Sequence, residues 1–197
     1  MSSPRVFVVT GSNKGIGKSI VKLLLQDKEE KIVYLTSRTE ELGLKSVKEL
    51  EELNLKPSYH QLDITDQSSI NRFRDYLSEK HGGLDVLVNN AGIAYKGSST
   101  APFAEQAEVT NNCNFFGTLN LCDALFPLLR SNGRVVHVSS MVSEYAFTKL
   151  SRELKGKFSD ANLTISGKWL KIRYFTNSTI RSSTFGCRKN TNPIDSL

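Results

Sequence analysis

The stretch TGSNKGIG, residues 10–17, constrains this chain more than any other, because of what stands on either side of it. Before it runs VFVVT, apolar almost throughout, as a strand buried on both faces of a parallel sheet must be. After it begins a run with helical periodicity. A glycine-rich turn between such a strand and such a helix is the opening of a βαβ unit whose helix N-terminus can face an anion. Gly11 permits the tight turn, and Gly15 and Gly17 let backbone come close to a pyrophosphate and helix close to strand. The spacing is G-x-x-x-G-x-G rather than G-x-G-x-x-G, so the strand–turn–helix setting carries the inference. Gly11, Ser12, Asn13, Lys14, Gly15, Ile16 and Gly17 are therefore the expected cofactor-binding loop of a dinucleotide site.

The rest of the chain keeps the same alternation. Strand-like runs fall at residues 6–10, 31–37, 58–62, 84–89 and 134–139. Helical stretches are expected at 15–27, 40–53, 67–81 and 105–129, the last kinked or ended at Pro127. In the second helix Leu42, Val47, Leu50 and Leu53 share an apolar face among Glu and Lys. Alternating βαβ units predict an α/β fold, a doubly wound parallel sheet of Rossmann type with right-handed crossovers.

The end of the second strand selects the dinucleotide. An NAD site places an acid there for the ribose 2′-hydroxyl, whereas this chain reads YLTSR, ending in Arg38. A guanidinium can grip a 2′-phosphate bidentately, and Lys14 in the loop adds a second positive charge. The expected cofactor is NADP.

The net charge of +6 suggests an acidic partner until it is located. Five of those charges lie from residue 166 onward, so the main body is nearly neutral and offers no basic face for nucleic acid. Cys113, Cys122 and Cys187 show no C-x-x-C pairing, which argues against a disulfide framework or a zinc site. No apolar run approaches the ~20 residues that span a bilayer, and the N-terminus enters a strand without a signal-peptide pattern. A cytoplasmic protein is expected, with no membrane and no nucleic-acid partner.

Five ordered motifs, TGSNKGIG, LDI around Asp63, LDVLVNNAGIA from Leu84, NFFGT from Asn114 and GRVVHVSS ending at Ser140, resemble the short-chain dehydrogenase/reductase family. The similarity is greatest to NADPH-dependent carbonyl reductases and covers about residues 1–158. It implies an oxidoreductase that takes a small-molecule carbonyl substrate. By this resemblance Asp63 and Ile64 flank the adenine, and Asn90, Ala91 and Gly92 touch the cofactor. Asn114 positions a water in a proton relay, Ser140 bonds the substrate carbonyl, and Tyr95, Gly97 and Gln106 fall in the substrate loop.

The catalytic tyrosine is the point of departure. A phenol with pKa near 10 becomes a useful acid beside an ammonium, which a lysine at i+4 on one helix face supplies. Tyr145 and Lys149 have that spacing. Yet only residues 141–144 separate Tyr145 from Ser140, where the family places a dozen or more. Those four must leave a strand and enter a helix, which puts Tyr145 in a first turn at best, badly placed to aim a hydroxyl rigidly at a substrate. SRELKGKF, residues 151–158, resembles the start of the insertion that carbonyl reductases carry before their tyrosine. The Tyr-x-x-x-Lys is thus expected to be coincidental, and the in-register motif missing.

Residues 159–197 carry no feature of the family, as a shortened or alternatively spliced product would not. The division expected is an NADP-binding domain over 1–158 and a divergent basic tail over 159–197. From residue 176 the tail is rich in Ser, Thr and Asn, the composition of a disordered segment. One piece, KWLKIRYF at 168–175, alternates Leu170, Ile172 and Tyr174 with Lys171 and Arg173, a half-buried strand pattern that could serve as a substitute edge strand.

Overall fold

The computed structural model describes residues 4–160 and 162; the tail expectations for 163–197 lie outside the described residues. Five parallel strands, β1 (Arg5–Val9), β2 (Lys31–Ser37), β3 (Ser58–Gln61), β4 (Leu84–Asn89) and β5 (Leu129–His137), form one sheet in the order β3-β2-β1-β4-β5. The chain works outward from β1 to β3 and then returns to place β4 on the other side of β1. That reversal opens a crevice beyond the carboxyl ends of β1 and β4, where open α/β sheets bind ligands.

Helices α1 (Gly15–Gln26), α2 (Glu40–Glu51) and α3 (Gln67–His81) follow β1, β2 and β3. The sheet is buried on both faces, which explains the unbroken apolar runs. On one face Val6, Val8, Tyr34, Leu84 and Leu87 meet Ile70, Phe73 and Leu77 of α3. On the other, Phe7, Val9, Val33, Leu35 and Val86 meet Val21 of α1 and Leu50 of α2. Each such side chain contributes roughly 1.5–3 kcal/mol of transfer free energy. Asp66 caps α3 by accepting from the Ser68 amide at 2.9 Å, and Gly82, at φ +66°, turns the chain out of it.

Two expectations are corrected in the second half. The helix expected at 105–129 is α4 (Phe103–Asn111), a π-helical turn (Asn112–Gly117), α5 (Thr118–Leu125) and a short 3₁₀ turn (Phe126–Leu128). Pro127 sits in that last turn, so it ends the helix as expected. The π turn arises from tertiary contact: a Cβ on Gly117 would lie 2.8 Å from the Ile64 carbonyl oxygen, so this stretch presses against the loop after β3. The second correction is β5, which starts at Leu129 rather than 134 and shifts register between Leu84 and Val86 of its partner.

After β5, α6 (Met141–Thr148) starts at once and is followed by α7 (Arg152–Ser159). Ser140 caps the first, accepting from the Val142 amide at 3.2 Å, and Ser151 caps the second, accepting from Leu154 at 3.2 Å. Because Met141 is already helical, Tyr145 falls in the second turn rather than the first.

Candidate nucleotide-binding site

A cleft of about 520 Å³ lies over the carboxyl ends of β1, β2 and β4. Its floor is a junction between the first and fourth strands. The Thr10 hydroxyl oxygen accepts from the amides of Asn90 and Ala91, each at 2.9 Å. The Asn90 side-chain amide donates back to the carbonyls of Thr10 (2.8 Å) and Gly11 (3.0 Å). Gly11 has φ +58°, and a Cβ there would stand 2.8 Å from the Ala91 Cα. A Cβ on Gly17 would stand 2.8 Å from the Ser12 Cα. A side chain at either place would fill the cradle, so glycine is required by space at both.

Of the expected loop, Gly11, Asn13, Lys14, Gly15, Ile16 and Gly17 line the cleft. Ser12 does not. It is fully buried, donates to the Val9 carbonyl at 2.7 Å and accepts from the Thr36 amide at 3.0 Å. It therefore pins the loop to β1 and β2 from beneath. The first turn of α1 holds no acid and its N-cap, Lys14, makes no side-chain cap bond, so its N–H groups and positive dipole end suit an anion.

Arg38, Asp63 and Ile64 line the far end of the cleft. Arg38 is exposed, and neither it nor Lys14 forms an ion pair among the described residues. Asp63 is held by Thr65, whose amide (2.9 Å) and hydroxyl (2.7 Å) both donate to one carboxylate oxygen. Asn90, Ala91 and Gly92 complete the opposite wall, with Cys113, whose thiol burial pushes above the usual cysteine range. The residues sequence reasoning missed are Thr10, the hinge of the floor, and Ser46, whose hydroxyl donates to the Asn13 carbonyl. Thr10 left one trace, a hydroxyl closing an otherwise apolar strand.

The expected catalytic residues are less gathered. Asn114, in the π turn, clamps the Ile93 main chain at two points: its Oδ1 accepts from the amide and its Nδ2 donates to the carbonyl, both at 2.8 Å. It lines a smaller cavity of about 90 Å³ with Asn89, Thr118, His137 and Ser139. There Asn89, 5% exposed, donates to the Cys122 sulfur at 3.2 Å, while its Oδ1 has no partner among the described residues. Burial lowers the pKa of His137 beside it. Ser140 caps α6 through its Oγ and lines neither cavity. Tyr145 is 64% exposed, and the Lys149 ammonium lies over its ring, 5.2 Å from the centroid. Tyr95 lines a groove of about 400 Å³ with Ile93 and Val109. Gly97 and Gln106 do not line it, and Gln106 donates to the Ala101 carbonyl at 2.8 Å.

A doubly wound parallel sheet with a glycine-loop cleft at its reversal point defines a nucleotide-binding α/β domain of the dehydrogenase class. The chain belongs to the short chain dehydrogenase family, whose model matches residues 5–152. It is 51% identical over 163 residues to carbonyl reductase (NADPH) 1 of Bos taurus and 48% identical over 163 residues to that of Homo sapiens. Either alignment covers 83% of this chain and 58% of the relative, so the chain spans under two thirds of the length of the curated relatives it matches. Among solved structures, menthone neomenthol reductase from Mentha piperita superposes with a TM-score of 0.76 at 28% identity, covering 89% of this chain and 74% of that one. Salutaridine reductase from Papaver somniferum superposes with a TM-score of 0.77 at 27% identity, covering 87% and 69%.

Proposed function

We propose that this chain is the NADP-binding part of a carbonyl-reductase-type oxidoreductase, and that it binds the nucleotide without efficient turnover of its own. The observation that carries the reading is the cleft. Twelve of the thirteen expected cofactor residues line it, Ser12 being the exception, with two cations, Lys14 and Arg38, left for a phosphate. The names of the bovine and human relatives, both NADPH reductases, point the same way. When bound, the nicotinamide cofactor would supply a hydride for a small carbonyl compound. Gly11 and Gly17 would admit the pyrophosphate, Lys14 and Arg38 would take the 2′-phosphate, and Asn90 would hold the floor.

The second half of the reaction needs a proton donor, and a general acid is worth about 10²–10⁴-fold in rate. Tyr145 is a weak candidate, because its ring is exposed and its lysine lies on the ring face. Ser140, whose Oγ accepts from the Val142 amide and which lines neither cavity, is a poor substitute. A non-catalytic NADP-binding form, acting through a partner, is the second reading, favoured by that same placement. A cytoplasmic location is proposed with both; the described residues contain no helix long and apolar enough to cross a membrane.

Two measurements test this. Calorimetry with Arg38→Ala should weaken NADPH binding by about 1.5–3 kcal/mol and leave NADH nearly unchanged; an unchanged NADPH/NADH ratio would remove the NADP assignment. Steady-state NADPH oxidation with a reactive diketone should be slow in the parent and insensitive to Tyr145→Phe and Lys149→Ala. Turnover on the order of 1–10³ s⁻¹ that collapses in both variants would make Tyr145 and Lys149 the active site.

A further inference from the structure

Residues 76–80, YLSEK, repeat the Tyr-x-x-x-Lys spacing of 145–149 on a different helix, α3. Here the pair is joined at the oxygen. The Lys80 ammonium donates to the Tyr76 hydroxyl oxygen at 2.7 Å, whereas the Lys149 ammonium lies over the ring of Tyr145. The Tyr34 hydroxyl of β2 donates to the same Tyr76 oxygen at 3.1 Å, and His81 Nε2 stands 2.8 Å from the Tyr34 oxygen. Tyr34 has one proton, so while it serves Tyr76 a neutral His81 carries its own proton on Nε2 and donates to Tyr34. Two donors thus converge on one phenol oxygen, with a third behind them, which favours the anion there. None of these four residues lines the nucleotide cleft.

The two phenols divide the roles. Tyr34 is fully buried, and burial first, then its bond to Tyr76, raises its pKa, so it keeps its proton and remains a donor. Tyr76 is half-buried. Its burial acts upward too, but the bonds from Lys80 and Tyr34 and the charge of Lys80 outweigh it and carry the phenol below its ordinary range. The titratable groups that face this pair are Lys80 and His81 of α3 itself and His60 of β3, whose ring lies 4.8 Å from that of Tyr76 and whose pKa burial lowers. Lys80 is exposed, so the phenol oxygen is approached from its side, and the ammonium has two hydrogens to spare.

We propose that Tyr76 is an acyl-acceptor site, a phenolate nucleophile that takes the acyl group of a neutral aryl ester. The phenol proton goes to water, and the phenolate oxygen bonds to the ester carbonyl carbon. The aryloxide then leaves with the electron pair of the broken C–O bond, and Tyr76 is left O-acylated. Lys80 acts as a positioning residue: it holds the phenolate and can donate to the oxyanion that forms at the carbonyl. This site stands apart from the nucleotide cleft and does not rest on its occupancy.

The test treats the full chain with p-nitrophenyl acetate and maps the acetylated peptides, with hydroxylamine release separating acetyl on tyrosine from acetyl on lysine. At pH 8 Tyr76 should be acetylated at least about tenfold faster than Tyr145, as one unit of pKa depression provides. Its rate should reach half its plateau below pH 10, the midpoint of a free phenol. Lys80→Met should slow the reaction at least about tenfold and move that midpoint upward, and Lys80→Arg should recover most of both. Tyr76→Phe should lose this acetylation while its circular dichroism matches the parent's, because Tyr34 can then turn its proton to His81. Three outcomes would overturn the proposal: Tyr76 labelled no faster than Tyr145, a midpoint at pH 10 or above, or a rate and midpoint that Lys80→Met leaves unchanged.

Discussion

Thr10 carries more of the site than its size suggests. One hydroxyl oxygen accepts two main-chain amides, those of Asn90 and Ala91, and so ties the end of β1 to the end of β4. Thr10→Val keeps the shape but leaves both amides unpaired, at a cost of about 1–3 kcal/mol or more. Urea unfolding should show the loss, and calorimetry should show weaker NADPH binding. Thr10→Ser, which keeps the oxygen, should recover most of both. At this scale the sequence was legible where chemistry and local geometry coincide: Gly11 was read as the tight turn and Gly17 as a position for close approach, and each proves to have no room for a Cβ. At Gly15, also read for close approach, a Cβ would meet nothing within 4 Å, and it is the φ of +56° that calls for glycine. Ser12 was not legible. Its neighbours in the loop face the cleft, and only the packing of β1 against β2 turns its hydroxyl inward.

Among the elements, α3 is joined to the sheet by more than apolar contact. The Tyr34 hydroxyl of β2 lies 2.8 Å from His81 Nε2 and 3.1 Å from the Tyr76 hydroxyl, to which the Lys80 ammonium donates at 2.7 Å. His60 of β3 is packed against Phe73 and Tyr76, both at 4.8 Å between centroids. Burial lowers the pKa of His60 and of His81, with the charges of Lys80 and Arg130 adding to the effect at His81. A histidine whose folded pKa is depressed takes up its proton more readily when unfolded, where its pKa is about 6.5. Stability is therefore full above that value and falls as the pH drops below it. Urea midpoints should decline from pH 7.5 to pH 5.5, and His60→Phe should flatten part of that slope; an unchanged slope would remove His60 from the account. The order of strands and helices was readable from apolar periodicity, because β1, β2, β4, α1 and α3 bury apolar side chains. β3 buries none, and of the face expected on the second helix Leu50 is buried while Leu42 and Leu53 are exposed, because Gly43 and Ser46 rather than Leu42 face the sheet. The π turn was not readable, since one extra residue per turn leaves no mark in a composition window and depends on Gly117 meeting Ile64. The early start of β5 was hidden for a similar reason: residues 130–133 fell between the expected helix and the expected strand, yet Leu129 pairs with Leu84.

For the whole molecule, nucleotide occupancy and folding are linked. A ligand that binds only the folded state at 100 times its Kd adds about 2.7 kcal/mol, and in a chain of this size that raises Tm by roughly 5–11 °C. Thermal scans should show such a rise with NADPH and a smaller one with NADH at the same concentration, whether or not the chain reduces anything. Equal shifts would contradict the role of Arg38. Family membership was legible from five short motifs because four of them lie on or just after strands of the sheet and the fifth, NFFGT, lies in the π turn and brings Asn114 against the loop after β4. The reach of the catalytic half was legible only as a spacing that did not fit. The cleft has one further consequence. Its lining runs from Gly11 to Cys113 and takes nothing from α6 or α7. During synthesis domains fold as they emerge, N-terminal parts first, and every residue that lines the cleft precedes β5 in the chain and emerges before it. Once β4 and the start of α5 are in place, a nascent chain has the means to capture its cofactor, and that capture would favour the half-made sheet while the remainder is still being translated.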